Sequence, residues 1–297
     1  MSLEKKTMST RKATFIMVLV SIMWSIAGVL FKYIDCNAIV IAGIRSFIAA
    51  ITVLSYMLIS KTKFIVNKTT VINAIVYALT FFSFVGANKL TSSANAIVIQ
   101  YSAPVFVLFY NLMFKHQRPK INDIVCVALT IIGISLFFKD SMGEGRLIGD
   151  IVAIFSAIGF AGIFIIVGDT DQTTSMNGVF QGQMLTALIG VPFVFFTENT
   201  FNLQTAGLFL ILGVVQLGIP YILVALAGPY CPAIVGTVVT VFEPLLNPVW
   251  VALIYGEVPG MWSFIGAVIV IVNVLVYCIM RDRRESKEYQ LKQKSTL

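Results

Sequence analysis

The sequence predicts an all-α polytopic membrane protein, with ten transmembrane helices arranged as two inverted five-helix repeats. Three observations predict it. Of 297 residues, 58% are hydrophobic and 12% charged, with a mean hydropathy of +0.91, which is far too apolar for a soluble chain of this length. The apolar residues fall into ten stretches, each near the ~20 residues that a helix needs to cross a bilayer. The basic residues lie between and beyond those stretches, mostly on one side of them.

In order, the expected spans are 13–31, 38–60, 70–88, 93–114, 121–138, 148–167, 176–197, 205–226, 231–254 and 260–280. Loops between them are short, so no separate soluble domain is expected. The first stretch reaches span length and lacks a cleavage site, so it reads as a helix rather than a signal peptide. Interior glycines and prolines are frequent, as bilayer helices tolerate.

Orientation follows from lysine and arginine. With an inside N-terminus, the inside segments hold Lys5, Lys6, Arg11, Lys12, Lys61, Lys63, Lys68, Lys115, Arg118 and Lys120. The C-terminal tail adds Arg281, Arg283, Arg284, Lys287, Lys292 and Lys294. Outside segments hold only Lys32, Lys89, Lys139 and Arg146. The asymmetry places both termini in the cytoplasm of a cell (plasma) membrane protein. The net charge of +7 thus belongs to membrane-flanking loops, and no nucleic-acid partner is expected.

The longest outside loop, Lys139 to Gly149, divides the chain into five spans plus five. Five is odd, so homologous halves insert with opposite topology, a plan common in secondary transporters. The expected units are 13–138 and 148–280, with basic cytoplasmic tails at 1–12 and 281–297. At an offset of about 140 residues the punctuation matches: Pro104 meets Pro244 and Pro119 meets Pro259, while Gln100 meets Thr240 and Tyr110 meets Trp250.

The ninth span, CPAIVGTVVTVFEPLLNPVWVALIYGE, carries the most informative residue. Glu243 lies about 18 Å in from Cys231 by helical rise, against a hydrocarbon core of about 30 Å. A charge there costs about 2.5–3.5 kcal/mol on insertion scales, so it should face the bundle interior or a wet cavity. Gly236, Thr240, Glu243, Asn247 and Trp250 recur at spacings of four and three, which is one helix face. Pro244 and Pro248 follow the acid, and each frees a backbone carbonyl. A polar stripe, an acid and a kink at mid-depth suggest a solute pathway.

The four cysteines (Cys36, Cys126, Cys231, Cys278) show neither metal spacing nor a disulfide framework. No metal site and no cofactor are expected. There is no nucleotide loop, no H-E-x-x-H and no G-x-S-x-G, so the chain is not expected to be an enzyme.

The chain resembles the EamA-like family of the drug/metabolite transporter superfamily over about 13–280. The residues that carry the resemblance are Trp24 in SIMWSIAGVLFK, Arg45 in AGIRSFIAA, the stretch TSSANAIVIQYSAP and the ninth-span FEPLLNPVWVALIYGE. Glu243, Pro244, Gly256 and Glu257 match the Glu-Pro and the closing Gly-Glu of that helix. At the corresponding close of the first half stand His116 and Gln117. The resemblance implies two repeats of five helices, cytoplasmic termini, and export or import of amino acids or other small metabolites.

Several polar groups fall at one depth. By helical rise, Trp24 lies about 16 Å from the inner end of its span, and Arg45 and Gln100 each about 10 Å from the outer ends of theirs. Arg45 and Glu243 are therefore expected to approach one central cavity, pairing with each other or binding the two ends of a zwitterion. The alternative for Arg45 is to snorkel outward to headgroups. Trp24, Tyr77, Phe81, Tyr101 and Trp250 are candidates for aromatic walls. Gln100, Thr240 and Asn247 complete the candidate substrate-binding set, and Pro104, Pro220, Pro244 and Pro248 are candidate kinks or gates.

The expected function is alternating-access secondary transport of a small metabolite, foremost an amino acid or related zwitterion, in the export direction. An aromatic wall with one acid would also suit an organic cation, moved by uptake or exchange. From another class, a channel or a non-transporting membrane partner is the distant alternative. The expected partners are the small-molecule substrate and the lipid bilayer, with a homodimer as an allowed assembly.

Overall fold

A computed structural model describes residues 8–27, 30, 33–91, 93–137, 139, 147–255 and 260–295. Among these the chain is helical, with no strand and one isolated bridge, Cys36 to Asn199. Five helical stretches are long and apolar enough to cross a membrane: Ala38–Ile59, Lys68–Asn88, Leu147–Gly168, Gln172–Phe195 and Leu203–Tyr230. Four shorter apolar helices accompany them: Ala103–Met113, Ile121–Leu136, Ala233–Leu246 and Phe264–Tyr277.

Helix α1 is Thr10–Trp24, capped by the Ser9 side chain, and it stops in a turn well short of residue 31. Helices α2 (Ala38–Ile59) and α3 (Lys68–Leu90) follow, each opened by an asparagine whose carbonyl satisfies a first-turn amide. The fourth stretch is not continuous as expected. It is α4 (Ser93–Gln100), a turn at Tyr101–Ser102, and α5 (Ala103–Met113). Helix α6 (Ile121–Phe137) ends the first half, and α7 (Leu147–Gly168) and α8 (Gln172–Gly190) open the second.

The eighth stretch holds α9 (Leu203–Leu210), a π-helical segment Ile211–Gly218 and α10 (Ile219–Ala227). Pro220 lies just past the wide turn, which spreads its missing donor over a looser hydrogen-bond ladder. The ninth stretch is also split, into α11 (Ala233–Val239) and α12 (Phe242–Tyr255). The break comes before Pro244; the backbone runs helically on through Pro248, so no second break occurs there. Helix α13 (Met261–Ser295) runs beyond the expected end at 280. Gly256, Glu257 and Pro259 lie outside the described residues, as do the side chains of Asn247 and Pro248.

The faces sort as a bilayer solvent demands. On α2, Phe47, Ile51 and Leu58 point outward while Arg45, Ser46, Ala49 and Val53 are buried. Polar groups turned inward and large apolar ones turned outward invert the soluble-protein pattern.

Small residues bring the helices together. Gly149, Gly159 and Gly162 on α7 lie against Thr91, Thr80 and Val76, so α7 runs antiparallel to α3. Gly178 and Gly182 on α8 lie against Asn73 and Tyr77 of α3, which makes those two parallel. Gly190 at the end of α8 meets Gly43 near the start of α2, and Asn177 near the start of α8 bonds the Lys63 carbonyl and the Ile65 amide just past the end of α2. Gly213 and Gly218 pack on Ile48 and Thr52, so the π segment runs parallel to α2. Gly228 lies by Met17 and Tyr221 by Trp24, so α10 runs antiparallel to α1. Followed pair by pair, these contacts make α1 and α7, which open the two halves, run in opposite senses.

Candidate functional site

The site begins with two breaks. Pro244 has no amide hydrogen and crowds the carbonyl four residues back, that of Thr240. The helix yields there: Val241 turns back to Val238 and Glu243 to Thr240, each three residues distant. Besides the Glu243 amide, the Thr240 carbonyl collects hydroxyls from elsewhere, Ser21 Oγ at 3.1 Å and Tyr101 Oη at 3.2 Å. Pro104 acts alike on the fourth stretch. Tyr101 N–H still reaches Ile97, but Ser102 tightens to Ile99 and Val105 to Ser102. Both breaks fall next to Tyr101, whose hydroxyl also donates to Glu243 Oε2 at 2.6 Å.

A small cavity of about 40 Å³ lies beside this junction. Arg45, Glu243, Gln100 and Gln216 bring its polar groups, and Trp24, Phe81, Phe84, Phe160 and Tyr221 its rings; Thr80 and Leu217 complete it. Arg45 is 2% exposed, and its guanidinium carbon sits 6.0 Å from the Phe81 ring centroid. Gly213 lies against the Arg45 carbonyl, so the absence of a side chain there seats the π segment on α2 at the arginine. Trp24 Nε1 and Gln216 Oε1 are buried without a hydrogen-bond partner among the described residues. A buried polar group left without a partner costs about 1–3 kcal/mol, so these two offer the cavity a donor and an acceptor.

Magnitude decides what fits. One water needs about 10–15 Å³ of such space, and ligand pockets run to about 300–1,000 Å³. At about 40 Å³ the cavity admits water and no metabolite; its walls must part to take one.

Of the sequence-predicted site residues, Trp24, Arg45, Phe81, Gln100 and Glu243 line this cavity together. Tyr77 does not; it is fully buried behind the wall, against Phe81 and Tyr221. Tyr101 meets Glu243 from the side, with its ring edge-on to Phe160. Thr240 turns its hydroxyl into its own helix, onto the Thr237 carbonyl, and offers only its backbone. Trp250 lies further along α12, donating to Ser25 Oγ at 2.8 Å. Pro104 and Pro244 open the helices after the two breaks, and Pro220 opens α10.

Sequence reasoning missed Thr80, Phe84, Phe160, Gln216, Leu217 and Tyr221 as site residues. Phe84, Phe160 and Leu217 are apolar residues in apolar stretches, where hydropathy does not separate them from lipid-facing neighbours. Thr80 and Phe84 flank Phe81 within about one turn of α3, which was the available signal.

Two larger cavities flank the bundle. One of about 590 Å³ is walled by Leu108 and Asn111 of α5, Ala233 and Ile234 of α11, and the loop carrying Lys115, Arg118 and Lys120. At its edge Lys115 Nζ meets Asp169 Oδ1 at 2.6 Å, joining the two halves. At the other end, about 610 Å³ opens between residues 35–37 and 197–200. There the Thr200 amide donates to Asp35 and the Asn37 amide to Asn199, strapping the loops together.

The comparisons with known proteins fit this geometry. The model of the EamA-like transporter family matches twice, over residues 11–139 and 147–279. An uncharacterized transporter of Archaeoglobus fulgidus is 22% identical over 261 residues, covering 87% of this chain and 93% of that one. A solved crystal structure superposes with a TM-score of 0.77 at 12% identity, covering 92% of this chain and 99% of its own, which shows a shared fold. Apolar helices, a transporter relative and a twice-matched transporter family make this a multi-pass membrane transporter. The chain belongs to the EamA-like transporter family.

Proposed function

We propose that this transporter carries a small zwitterion, such as an amino acid, through the central cavity by alternating access. The observation that carries the reading is a buried arginine and a glutamate on the wall of one cavity, Arg45 and Glu243. Arg45 would take a carboxylate and Glu243 an ammonium group, each replacing water at a matched charge. Trp24 Nε1 and Gln216 Oε1 supply a further donor and acceptor, and the rings around them suit an apolar side chain.

The units 13–138 and 148–280 are the moving bodies, inserted in opposite senses with both termini in the cytoplasm of a plasma-membrane protein. The opposed directions of α1 and α7 and the excess of basic residues on one side support that placement. The cavity by the Lys115–Lys120 loop is then the cytoplasmic vestibule, open while the outer loops are strapped. Release to the outside makes the protein an exporter. A second reading, an organic cation as cargo, is favoured by the rings crowding the acid, since those of Trp24 and Tyr221 stand 5.1 Å apart beside it, tilted by 43°.

A thermal-shift screen of purified protein separates these. Amino acids should raise the melting temperature, while matched amines and matched carboxylic acids lacking the other end should not. Stabilisation by amines alone replaces the zwitterion with the cation; no effect of any class overturns the site.

A further inference from the structure

We propose that the Tyr101 hydroxyl is a positioning group that reports occupancy of Glu243 to both helix breaks. The proposal rests on the reading of Glu243 as the solute's cation-binding group. A phenol carries one proton and can donate to one acceptor at a time. Two acceptors stand within its reach: Glu243 Oε2 at 2.6 Å and the Thr240 carbonyl at 3.2 Å. The second is reachable because Pro244 removes the donor four residues on; the carbonyl still accepts from the Glu243 amide at 3.0 Å and from Ser21 Oγ at 3.1 Å. The ring is buried and edge-on to Phe160, with centroids 6.1 Å apart, so the hydroxyl can change acceptor by rotating about its C–O bond alone.

The consequence lies in where the three groups sit. Tyr101 is in the break between α4 and α5; Thr240 closes α11, and Glu243 begins α12. With the acid empty and charged, the hydroxyl ties the first break to α12. An ammonium group at Glu243 competes for the carboxylate, and the hydroxyl turns to the Thr240 carbonyl, tying the first break to α11 instead. Helices α5 and α11 form part of the wall of the 590 Å³ vestibule, together with Tyr277 and Met280 of α13. Occupancy therefore changes which half-helix is coupled across the seam, and with it the width of the vestibule.

The test reads that width directly. Spin labels replace the exposed Met113 and Met280 beside the vestibule, and the distance distribution is recorded on purified full-length protein. Saturating ethylamine, as the ammonium probe, should shift the distribution. Glu243→Gln, which removes the charged acceptor, should shift it the same way with no probe present. In Tyr101→Phe both shifts should vanish, while ethylamine binds at least as tightly as in wild type, because the competing hydroxyl is gone. Substituting 3-fluorotyrosine at 101 keeps the hydroxyl and makes it a stronger donor, so the shifts should be at least as large as in the parent.

Unchanged shifts in Tyr101→Phe overturn the proposal. So does loss of ethylamine binding in step with the shift, which makes Tyr101 a ligand contact. A Glu243→Gln protein that shifts nothing overturns it as well, with no solute needed. If ethylamine fails to bind while the Glu243→Gln shift still requires Tyr101, the cargo reading falls and the hydroxyl's role stands.

Discussion

Gly43 of α2 and Gly190 of α8 lie backbone against backbone: a methyl group on Gly190 would stand 2.6 Å from the Gly43 Cα and 2.7 Å from the Ile39 carbonyl oxygen. In lipid no hydrophobic force drives helices together, and close approach of small residues does so instead. This contact fixes α2, and hence Arg45, against the second half.

Gly190→Ala should therefore destabilise the protein by about 1–3 kcal/mol, the usual cost of overpacking a filled contact. Gly207→Ala is the control, since nothing lies within 4 Å of its position in α9. It should be neutral or stabilise by up to about 1 kcal/mol. Thermal unfolding in detergent compares the two; equal effects would mean the Gly43–Gly190 approach is not tight.

Trp250 and Ser25 make a second link between halves, through Nε1 to Oγ at 2.8 Å. Trp250→Phe and Ser25→Ala should each cost about 1 kcal/mol, with about 0.6 kcal/mol of coupling typical for a bond in a membrane. A double-mutant cycle on unfolding free energies measures it. Additive losses would mean the bond contributes nothing.

Asp171 caps α8 from the aqueous end. Partial burial pushes its carboxyl upward, but hydrogen bonds from the Thr174 amide and hydroxyl and from the Thr173 amide outweigh it, holding the group below the usual carboxylate range. A group lowered by folding contributes stability above its unfolded pKa and loses it as pH falls through the folded value. Asp171→Ala should cost about 1 kcal/mol at neutral pH, and the gap from wild type should close on acidification. Melting curves against pH check this; a gap independent of pH would assign the loss to something other than the charged cap.

Much of this was legible because lipid makes sequence blunt. Glu243 and Arg45 stand out in apolar stretches, and the cost of exposing them to acyl chains turns both inward. Prolines told where helices would weaken, yet not how. Pro244 broke its helix and Pro248 did not, because the freed Thr240 carbonyl found the hydroxyls of Ser21 and Tyr101. Those donors come from about 140 to 220 residues away in the chain, and no local pattern announces them. Tyr101 read as an aromatic wall for the same reason: its ring is visible in composition, while the partner of its hydroxyl is a fact of packing. Phe160 was hidden among the other apolar residues of its helix.

The most direct test of the central cavity is transport by reconstituted Glu243→Gln, using the solute that the thermal-shift screen identifies. Binding and uptake into liposomes are measured beside wild type, with melting temperature as the check on folding. Transport should fall at least tenfold, about 1.4 kcal/mol in solute affinity or more, with the fold intact. Wild-type uptake by the variant would contradict the assignment of Glu243 to the solute.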